Sequence, residues 1–461
     1  MAENSRNESD FNSIKYPVPK KVQEFGNFFA QNGFSLYIVG GAIRDYLMGI
    51  DNSDFDFCTN ATPQQVISLF KKVIPTGLKH GTVTVLFKGE SYEVTTFRCE
   101  SNYTDGRHPD SVTYITDLHE DLSRRDFTIN AFAANCTDGT ITDDFNGFSD
   151  LSNHLVRAIG NPSERFKEDA LRLMRLARFC SKLNFEPETS TLNAACELSS
   201  LIVNVSKERI YDELSKILMS SVPSVGLRIL EKIGLLKLIL PEVAVCREIK
   251  QVKVDAKDVL EHIYLCVDEA AKAGYSLNVR LAALLHDIGK PSTLSYNKFG
   301  IMRFPNHEKV GAQMSELVLK RLKCSNQTIS NVSLLIREHM AKNSQAWTDG
   351  DVKRFIRRVG KENLTQVFQL QWCDQIASTG SRWDEEYESL LPRIDRLIND
   401  PMSLAELAVT GEDLNAIGIP KTKEMGEILN KLLEMVIDYP SLNQKELLLN
   451  QANLLYKASQ A

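Results

Sequence analysis

The 461-residue chain is 43% hydrophobic and 25% charged, with a formal net charge of −6. These fractions exclude a disordered, collagen-like or low-complexity protein, and the length predicts roughly three domains with cores of their own. Apolar runs fall short of the roughly 20 residues of a membrane span, and MAENSRNESDFNSIKYP has neither the basic end nor the apolar stretch of a secretory signal, so a cytoplasmic address is expected. The acidic balance ordinarily argues against a nucleic-acid partner, because phosphate binding draws on Lys and Arg. Nine cysteines without a CxxC pair read as reduced and mostly buried.

Up to about residue 160, strand-like and helix-like segments alternate. FSLYIVGG is a short apolar strand ended by Gly40 and Gly41, and FDFCT, GTVTVLF and YEVTTF follow with β-branched and aromatic enrichment. From about residue 163 the strand signal nearly vanishes. Stretches such as RFKEDALRLMRLARFCSKL, KERIYDELSKILMSS and MGEILNKLLEMVIDY repeat apolar residues at three and four, the helical period. The expected fold class is α+β, a small mixed-sheet head followed by an all-helical remainder.

Three clusters in the first half carry chemistry. IVGGAIRDYLMGIDNSDFDF puts a Gly-Gly turn between strand and helix, then Asp54 and Asp56 at alternate positions of an extended run. Residues two apart on a strand share a side, so the carboxylates converge while Phe55 and Phe57 enter the core. Two such carboxylates suit a pair of hard divalent cations. Gly40 and Gly41 let the backbone approach a triphosphate, a helix start at 42 offers free N–H groups, and Arg44 adds a clamp.

In LSRRDFTINAFA, Asp126 and Asn130 are four apart, on one face of a helix expected to begin near 126. Arg125 is assigned to phosphate, with Asp126 and Asn130 near the sugar; a capped helix start is the structural alternative. In EDALRLMRLARF, Asp169 and Arg172 are one helical turn apart. A carboxylate accepts from an exocyclic amine and a guanidinium donates to the adjacent ring nitrogen, a pattern shared by cytosine and adenine. Arg175 and Arg178 continue the stripe toward phosphate, and a solvated basic helix face is the competing reading.

In the second half, His262, His286, His307 and His339 are followed by Asp374 in QWCDQ. A His286–Asp287 pair on an apolar helix is a costly placement unless something binds it. Imidazoles with carboxylates suit a transition metal that activates water.

GGAIRD with DFD, RRDFTINA and EDALRLMRLARF, in this order and spacing, resemble the class II tRNA nucleotidyltransferases, the bacterial-type CCA-adding enzymes of the polymerase-beta-like superfamily. The resemblance spans roughly residues 33 to 245. It implies that Asp54 and Asp56 bind Mg2+, with Glu93 as a third catalytic carboxylate. It also implies that Gly40, Gly41, Arg44, Arg125, Asp126, Asn130, Asp169, Arg172, Arg175 and Arg178 contact ATP or CTP. ESNYTDGRHPDSV, residues 100 to 112, looks like the flexible loop that relatives adding only CC lack. TGLKHGTVTV, residues 76 to 85, is similar to CCA-adding and A-adding enzymes rather than to bacterial poly(A) polymerases. The expected activity is template-free addition of CCA to the tRNA 3′ end, with A-only addition or a poly(A) polymerase relative as alternatives.

The histidine pattern resembles the HD phosphohydrolase domain. That resemblance implies metal ligation by His262, His286, Asp287 and Asp374, with His307 and His339 matching fuller versions, and hydrolysis of phosphoesters at RNA ends. An HD phosphohydrolase with a regulatory nucleotide-binding head is the rival from another class. LAVTGEDLNAIGIPKTKEMGEILNKLLEMVIDYP resembles the family's tail, implied to hold the tRNA elbow. Lys421 and Lys423, with Lys353, Arg354, Arg357, Arg358 and Lys361, are candidate phosphate contacts. The expected organisation is an N-terminal extension and first helix (1–32), head (33–160), neck (161–250), HD domain (251–380) and tail (381–461).

Overall fold

The first half of the chain is built on a sheet whose strands are β1 (Leu36–Val39), β2 (Asp56–Thr59), β3 (Val73–Gly77), β4 (Thr82–Phe87) and β5 (Glu90–Thr96). Strands β6 (Arg98–Ser101) and β7 (Ser111–Tyr114) pair separately, and β8 (Ala133–Asn135) and β9 (Ile141–Thr142) complete the main sheet. The order of its seven strands is β3-β4-β5-β2-β1-β8-β9. Only β2 and β5 run parallel, the other neighbours being antiparallel. This is a computed structural model, and it describes residues 14–78, 81–101, 111–251, 255–341, 347–382 and 385–460. Most of the loop expected at 100–112, and Lys79 and His80 of the 76–85 segment, lie outside the described residues.

Alternation along the strands drives the packing. In β4 and β5, Val83, Val85, Tyr92 and Val94 are buried while their neighbours turn outward. Helix α1 (Lys20–Gln31) lays Phe25 and Phe29 on this surface. Phe25 stacks on Tyr92 with ring centroids 4.4 Å apart and meets Phe29, Phe57, Phe70 and Phe87 at 5.2 to 5.9 Å.

Register explains why distant motifs meet. Val39, the last residue of β1, pairs with Asp56, the first of β2, and on its other side with Ala133, the first of β8. The Gly40–Gly41 turn, the acidic pair and the RRDFTINA segment therefore gather at one end of the sheet. Helix α2 (Gly41–Leu47) leaves the turn, and α3 (Leu118–Ser123) precedes Arg124 and Arg125. Beyond them lie α4 (Pro162–Glu168), α5 (Leu171–Leu183), α6 (Lys207–Leu218) and α7 (Pro223–Lys232), with α6 and α7 both packed on α5.

Two compact units divide at Ala244 and Val245. The second contains helices α8 (Val259–Lys272), α9 (Leu277–Leu285), α10 (His307–Arg321), α11 (Asn326–Glu338), α12 (Asp349–Val359), α13 (Leu364–Thr379) and α14 (Lys423–Asp438). Helix α9 packs on α8, α11 and α13, and Val279 and Leu281–Leu285 on it are buried on all sides. The helical half also holds a short antiparallel hairpin, β10 (Ser295–Tyr296) and β11 (Met302–Arg303), too short for sequence periodicity to register. A separate apolar cluster around Leu414, Leu432 and Leu448 forms the core of the last stretch. All nine cysteines are free, and six are buried. Among the described residues no helix is long and apolar enough to cross a membrane.

Candidate active site and candidate metal centre

At the end of the sheet the first unit opens a cleft of about 720 Å³. Nine cationic side chains and five carboxylates line it, in a chain whose net charge is −6. The local balance is thus the reverse of the global one, and it favours a polyanion.

Gly40 begins the site with φ 74° and ψ −126°, a conformation that a Cβ makes costly. Arg44 is buried one helical turn on, where its guanidinium donates to Asn130 Oδ1 at 2.6 Å and to Asp45 Oδ1 at 2.5 and 2.8 Å. Asp54 lies in the segment before β2 rather than on it, so only Asp56 has strand geometry. Phe57 enters the core as expected, whereas Phe55 is only half-buried, because the strand does not extend back to it. Both carboxylates line the cleft. Desolvation in the cleft and the Asp54 charge raise the Asp56 carboxyl above its ordinary value, against the opposing pull of Arg125. Glu93 does not line the cleft, but β2 and β5 pair Phe57 with Val94, so Asp56 and Glu93 stand side by side on the same face of neighbouring strands.

The expected helix from 126 does not form. Phe127 is extended, and a single 3-10 turn covers Thr128–Asn130. Every residue from Phe127 to Phe132 is buried, so the segment has no polar face with which to ride as a surface helix. The pairing expected from that helix survives nonetheless: Asn130 Nδ2 donates to Asp126 Oδ1 at 3.1 Å, and Arg175 donates to Asp126 Oδ2 at 2.5 and 2.6 Å. Burial alone would raise the Asp126 carboxyl, but Arg175 and Asn130 more than offset it and hold it below the usual range.

Asp169 and Arg172 do not share a helix either. Asp169 is extended between α4 and α5, and its Oδ1 accepts from the Leu171 backbone N–H at 3.0 Å, two residues on. Its Oδ2 accepts from Arg209 at 2.9 Å. Arg172 donates to Glu168 at 2.6 Å and to the carbonyls of Arg165 and Arg124 at 3.0 and 2.8 Å. The two residues line one cleft without bonding to each other. Arg178 donates to Glu213 at 3.1 Å and covers the Phe179 ring at 4.4 Å. Three guanidinium nitrogens of lining residues, Arg125 Nε, Arg178 Nε and Arg209 Nη1, are buried without a hydrogen-bond partner. Such donors are costly unless a ligand accepts from them. Arg209, Arg98 and Lys182 also belong to the lining. KERIYDELSKIL reads as an ordinary amphipathic helix, so nothing in the sequence marks Arg209.

In the second unit, five helix segments bring six residues together. His262 lies on α8, His286 and Asp287 follow α9, His307 opens α10, His339 follows α11, and Asp374 lies on α13. All but Asp374 are buried. Gly289 permits the close pass, since a Cβ there would collide with the His307 carbonyl oxygen. His262 Nε2 is 2.9 Å from Asp374 Oδ1 and 3.3 Å from His286 Nε2. Asp287 faces a histidine of each group: its Oδ2 is 3.3 Å from His286 Nε2 and its Oδ1 is 3.5 Å from His307 Nε2. One triad is His262, His286 and Asp374; the other is Asp287, His307 and His339.

Three of the imidazoles are oriented alike. The Nδ1 atoms of His286, His307 and His339 face the carbonyls of Ala283, Phe304 and Ile336 at 2.8, 2.8 and 2.6 Å. A carbonyl only accepts, so each Nδ1 carries a proton and each ring turns its Nε2 inward. His339 Nε2 is buried without any partner. Burial, with the nearby His286, pushes the His339 pKa down to about 3. For Asp287, burial acts upward, but His286 and Lys290 hold its carboxyl well below the usual range.

The basic segment expected to touch phosphate is spent internally. Lys353 is buried and donates to Ile437 O at 3.0 Å, Arg354 and Arg357 pair with Glu434 at 2.8 Å, and Arg358 pairs with Glu338 at 2.9 Å. Lys421 pairs with Glu412, and Lys423 lies 3.8 Å from Glu427.

Residues 36–157 match the family of poly A polymerase head domains. Residues 184–246 match a probable RNA and SrmB-binding site of polymerase A, and residues 307–452 match a family described as tRNA nucleotidyltransferase domain 2, putative. A CCA-adding enzyme of Pediococcus pentosaceus is 36% identical over 427 residues, 92% of this chain and 95% of that enzyme. One from Enterococcus faecalis is 34% identical over 423 residues, 91% of this chain and 92% of its own. The crystal structure of the Bacillus stearothermophilus CCA-adding enzyme in complex with CTP aligns with a TM-score of 0.73 at 28% identity, covering 96% of this chain and 99% of that one. Full-length similarity to enzymes of one name, together with a cationic cleft built around the glycine turn and acidic pair, establishes that the chain belongs to the CCA-adding enzymes, the class II tRNA nucleotidyltransferases.

Proposed function

We propose that the chain adds C, C and A to the 3′ end of tRNA, using CTP and ATP without a nucleic-acid template. The observation that carries this reading is the cleft, where unpartnered guanidinium nitrogens and two adjacent carboxylates line one cavity. The terminal 3′-hydroxyl of tRNA attacks the α-phosphate of the bound nucleotide, and pyrophosphate leaves. Arg44, Arg125, Arg175 and Arg178 hold the triphosphate, and Gly40 keeps the backbone clear of it. Asp126 and Asn130 orient the sugar. Asp169 and Arg172 read the amine and ring nitrogen of the base, turning from their present partners between the C and A steps. Asp54 and Asp56, with Glu93 alongside, form an all-oxygen donor set that fits Mg2+, which when bound supplies charge neutralisation at the phosphate and lowers the pKa of the attacking hydroxyl.

Labelled CTP or ATP offered with tRNAs ending at the discriminator base, at C and at CC tests the reading. Incorporation of C on the first two and of A on the third is expected. Incorporation of A on the CC end alone would instead assign A-only addition.

A second reading concerns the histidine cluster, which we assign to an HD-type metal centre for phosphoester hydrolysis. His262, His286, Asp287 and Asp374 are the proposed ligands, with His307 and His339 completing the set. The inward, partnerless Nε2 of buried His339 supports it, because such an atom is a ready ligand and otherwise an uncompensated cost. The mixed imidazole and carboxylate donors fit a divalent transition metal. Elemental analysis of wild type against His286→Ala tests this, with loss of bound metal expected; equal content would remove the ligand set. The further subdivision into head (33–160), neck (161–250), HD domain (251–380) and tail (381–461) belongs to the same proposal, as does contact of the tail with the tRNA elbow.

A further inference from the structure

The β10–β11 hairpin exposes its large side chains instead of burying them. Tyr296, Phe299 and Ile301 are 63%, 75% and 59% accessible. Three apolar side chains clustered on one short ribbon differ from the single exposed residues of an ordinary surface. The ribbon is nonetheless ordered at its tip. Asn297 O accepts from the Gly300 N–H at 2.9 Å, and Asn297 Oδ1 accepts from the Phe299 and Ile301 N–H groups, each at 2.9 Å. Gly300 takes φ 75° to close the turn. The backbone that carries Phe299 is therefore set by the turn before anything binds.

Charge identifies the occupant. Between Asp287 and Glu308 the chain carries no acidic residue, and its exposed cations are Lys298 and Arg303, Lys290 being buried against Asp287. Lys298 lies beside the Phe299 ring, its Nζ 5.0 Å from the centroid. Exposed rings interleaved with cations suit a polymer that is both stacked and negatively charged, which is unpaired nucleic acid.

Position identifies the purpose. The hairpin is strung between two members of the histidine cluster, Asp287 and His307. Phe304, directly after β11, uses its carbonyl to orient His307 Nδ1 at 2.8 Å. Its ring lies 5.4 Å from Lys290 Nζ, which in turn pairs with Asp287 at 2.6 Å. We propose that this hairpin is a stacking platform for unpaired RNA, seating a ribonucleotide end at the histidine cluster. The purpose rests on the metal-centre reading given above; the binding itself does not.

The test uses the full-length protein and a short unstructured octaribonucleotide carrying 4-thiouridine, photo-crosslinked with chelator present and mapped by mass spectrometry. Adducts on residues 295–303 are expected. By fluorescence anisotropy with the same oligonucleotide, Tyr296→Ala with Phe299→Ala should weaken binding at least about fivefold, the low end of base-on-ring stacking. Tyr296→Ala with Phe299→Trp should recover part of it, and CTP incorporation into tRNA should be unchanged in both. Adducts confined to other segments, or equal affinity in the double alanine variant, overturn the platform. So does a double variant that loses only self-association or vesicle binding. Metal content of the wild type is measured separately. RNA adducts on the hairpin without bound metal would sink the metal centre and leave the platform, and bound metal without adducts would do the reverse.

Discussion

Nine cations and five carboxylates meet in the cleft of the first unit, whereas four imidazoles and two carboxylates meet in the cluster of the second. In the cleft, guanidinium nitrogens bonded to carboxylates stand beside buried ones without a protein partner. The cluster is closed, and its imidazoles are fixed from behind by backbone carbonyls. Oxygen donors and guanidinium groups in a large cleft suit a polyanion with hard cations, while fixed inward imidazoles are the donors a softer ion prefers. The assembly differs as well: sheet register gathers the first site, and helix ends gather the second. A third set of cations, on α12, is paired throughout with acids of its own unit and offers little to a ligand.

Breaking the first site should have the largest effect. Asp54→Ala with Asp56→Ala is expected to lower nucleotide incorporation by roughly 10³-fold or more while leaving tRNA affinity within about twofold, measured by single-turnover extension and filter binding. Breaking the second should leave the first intact: His286→Ala loses bound metal by elemental analysis and keeps CTP incorporation near wild type. The contrast fails if either variant disables both sites.

Arg209→Ala sharpens the reading of the cleft. Freed from Arg209, Asp169 loses a charge-assisted hydrogen bond, and preference for CTP over UTP should fall roughly tenfold, read as the ratio of kcat/KM values. Acid stability gives a smaller signal. The Asp126 pKa is lowered in the folded state, so its contribution is complete above its ordinary value of 3.8 and is lost as pH falls through the lower folded value. Asp126→Asn should therefore flatten the fall of Tm with pH below about 4. Smallest of all, Arg354→Ala removes a partly exposed ion-pair network and should cost less than about 1 kcal/mol by urea denaturation, with tRNA affinity unchanged.

Much of both sites is legible in the sequence, because side chains that do chemistry are of distinctive type and spacing. GGAIRD, DFD and the six members of the histidine cluster need only their order to be recognised, and register or helix ends then bring them together. What the sequence hides is local geometry set by burial. RRDFTINAFA has a helical spacing of Asp126 and Asn130, yet a fully buried segment has no reason to be an amphipathic helix and turns once before entering β8. Asp169 sits within a helical periodicity that its own extended backbone interrupts. Arg209, 37 residues beyond Arg172, and the pairing of α12 with Glu338, Glu434 and Asp438 depend on long-range contacts that no local pattern encodes. The net charge of −6 likewise conceals a cleft in which cations outnumber acids.

The most direct measurement offers the purified protein a tRNA ending at the discriminator base, with Mg2+ and all four nucleoside triphosphates at equal concentration, and sequences the extended 3′ end. The account predicts C, C and A in that order and then arrest. Products that lack C, or that carry U or G at the first two positions, would contradict it.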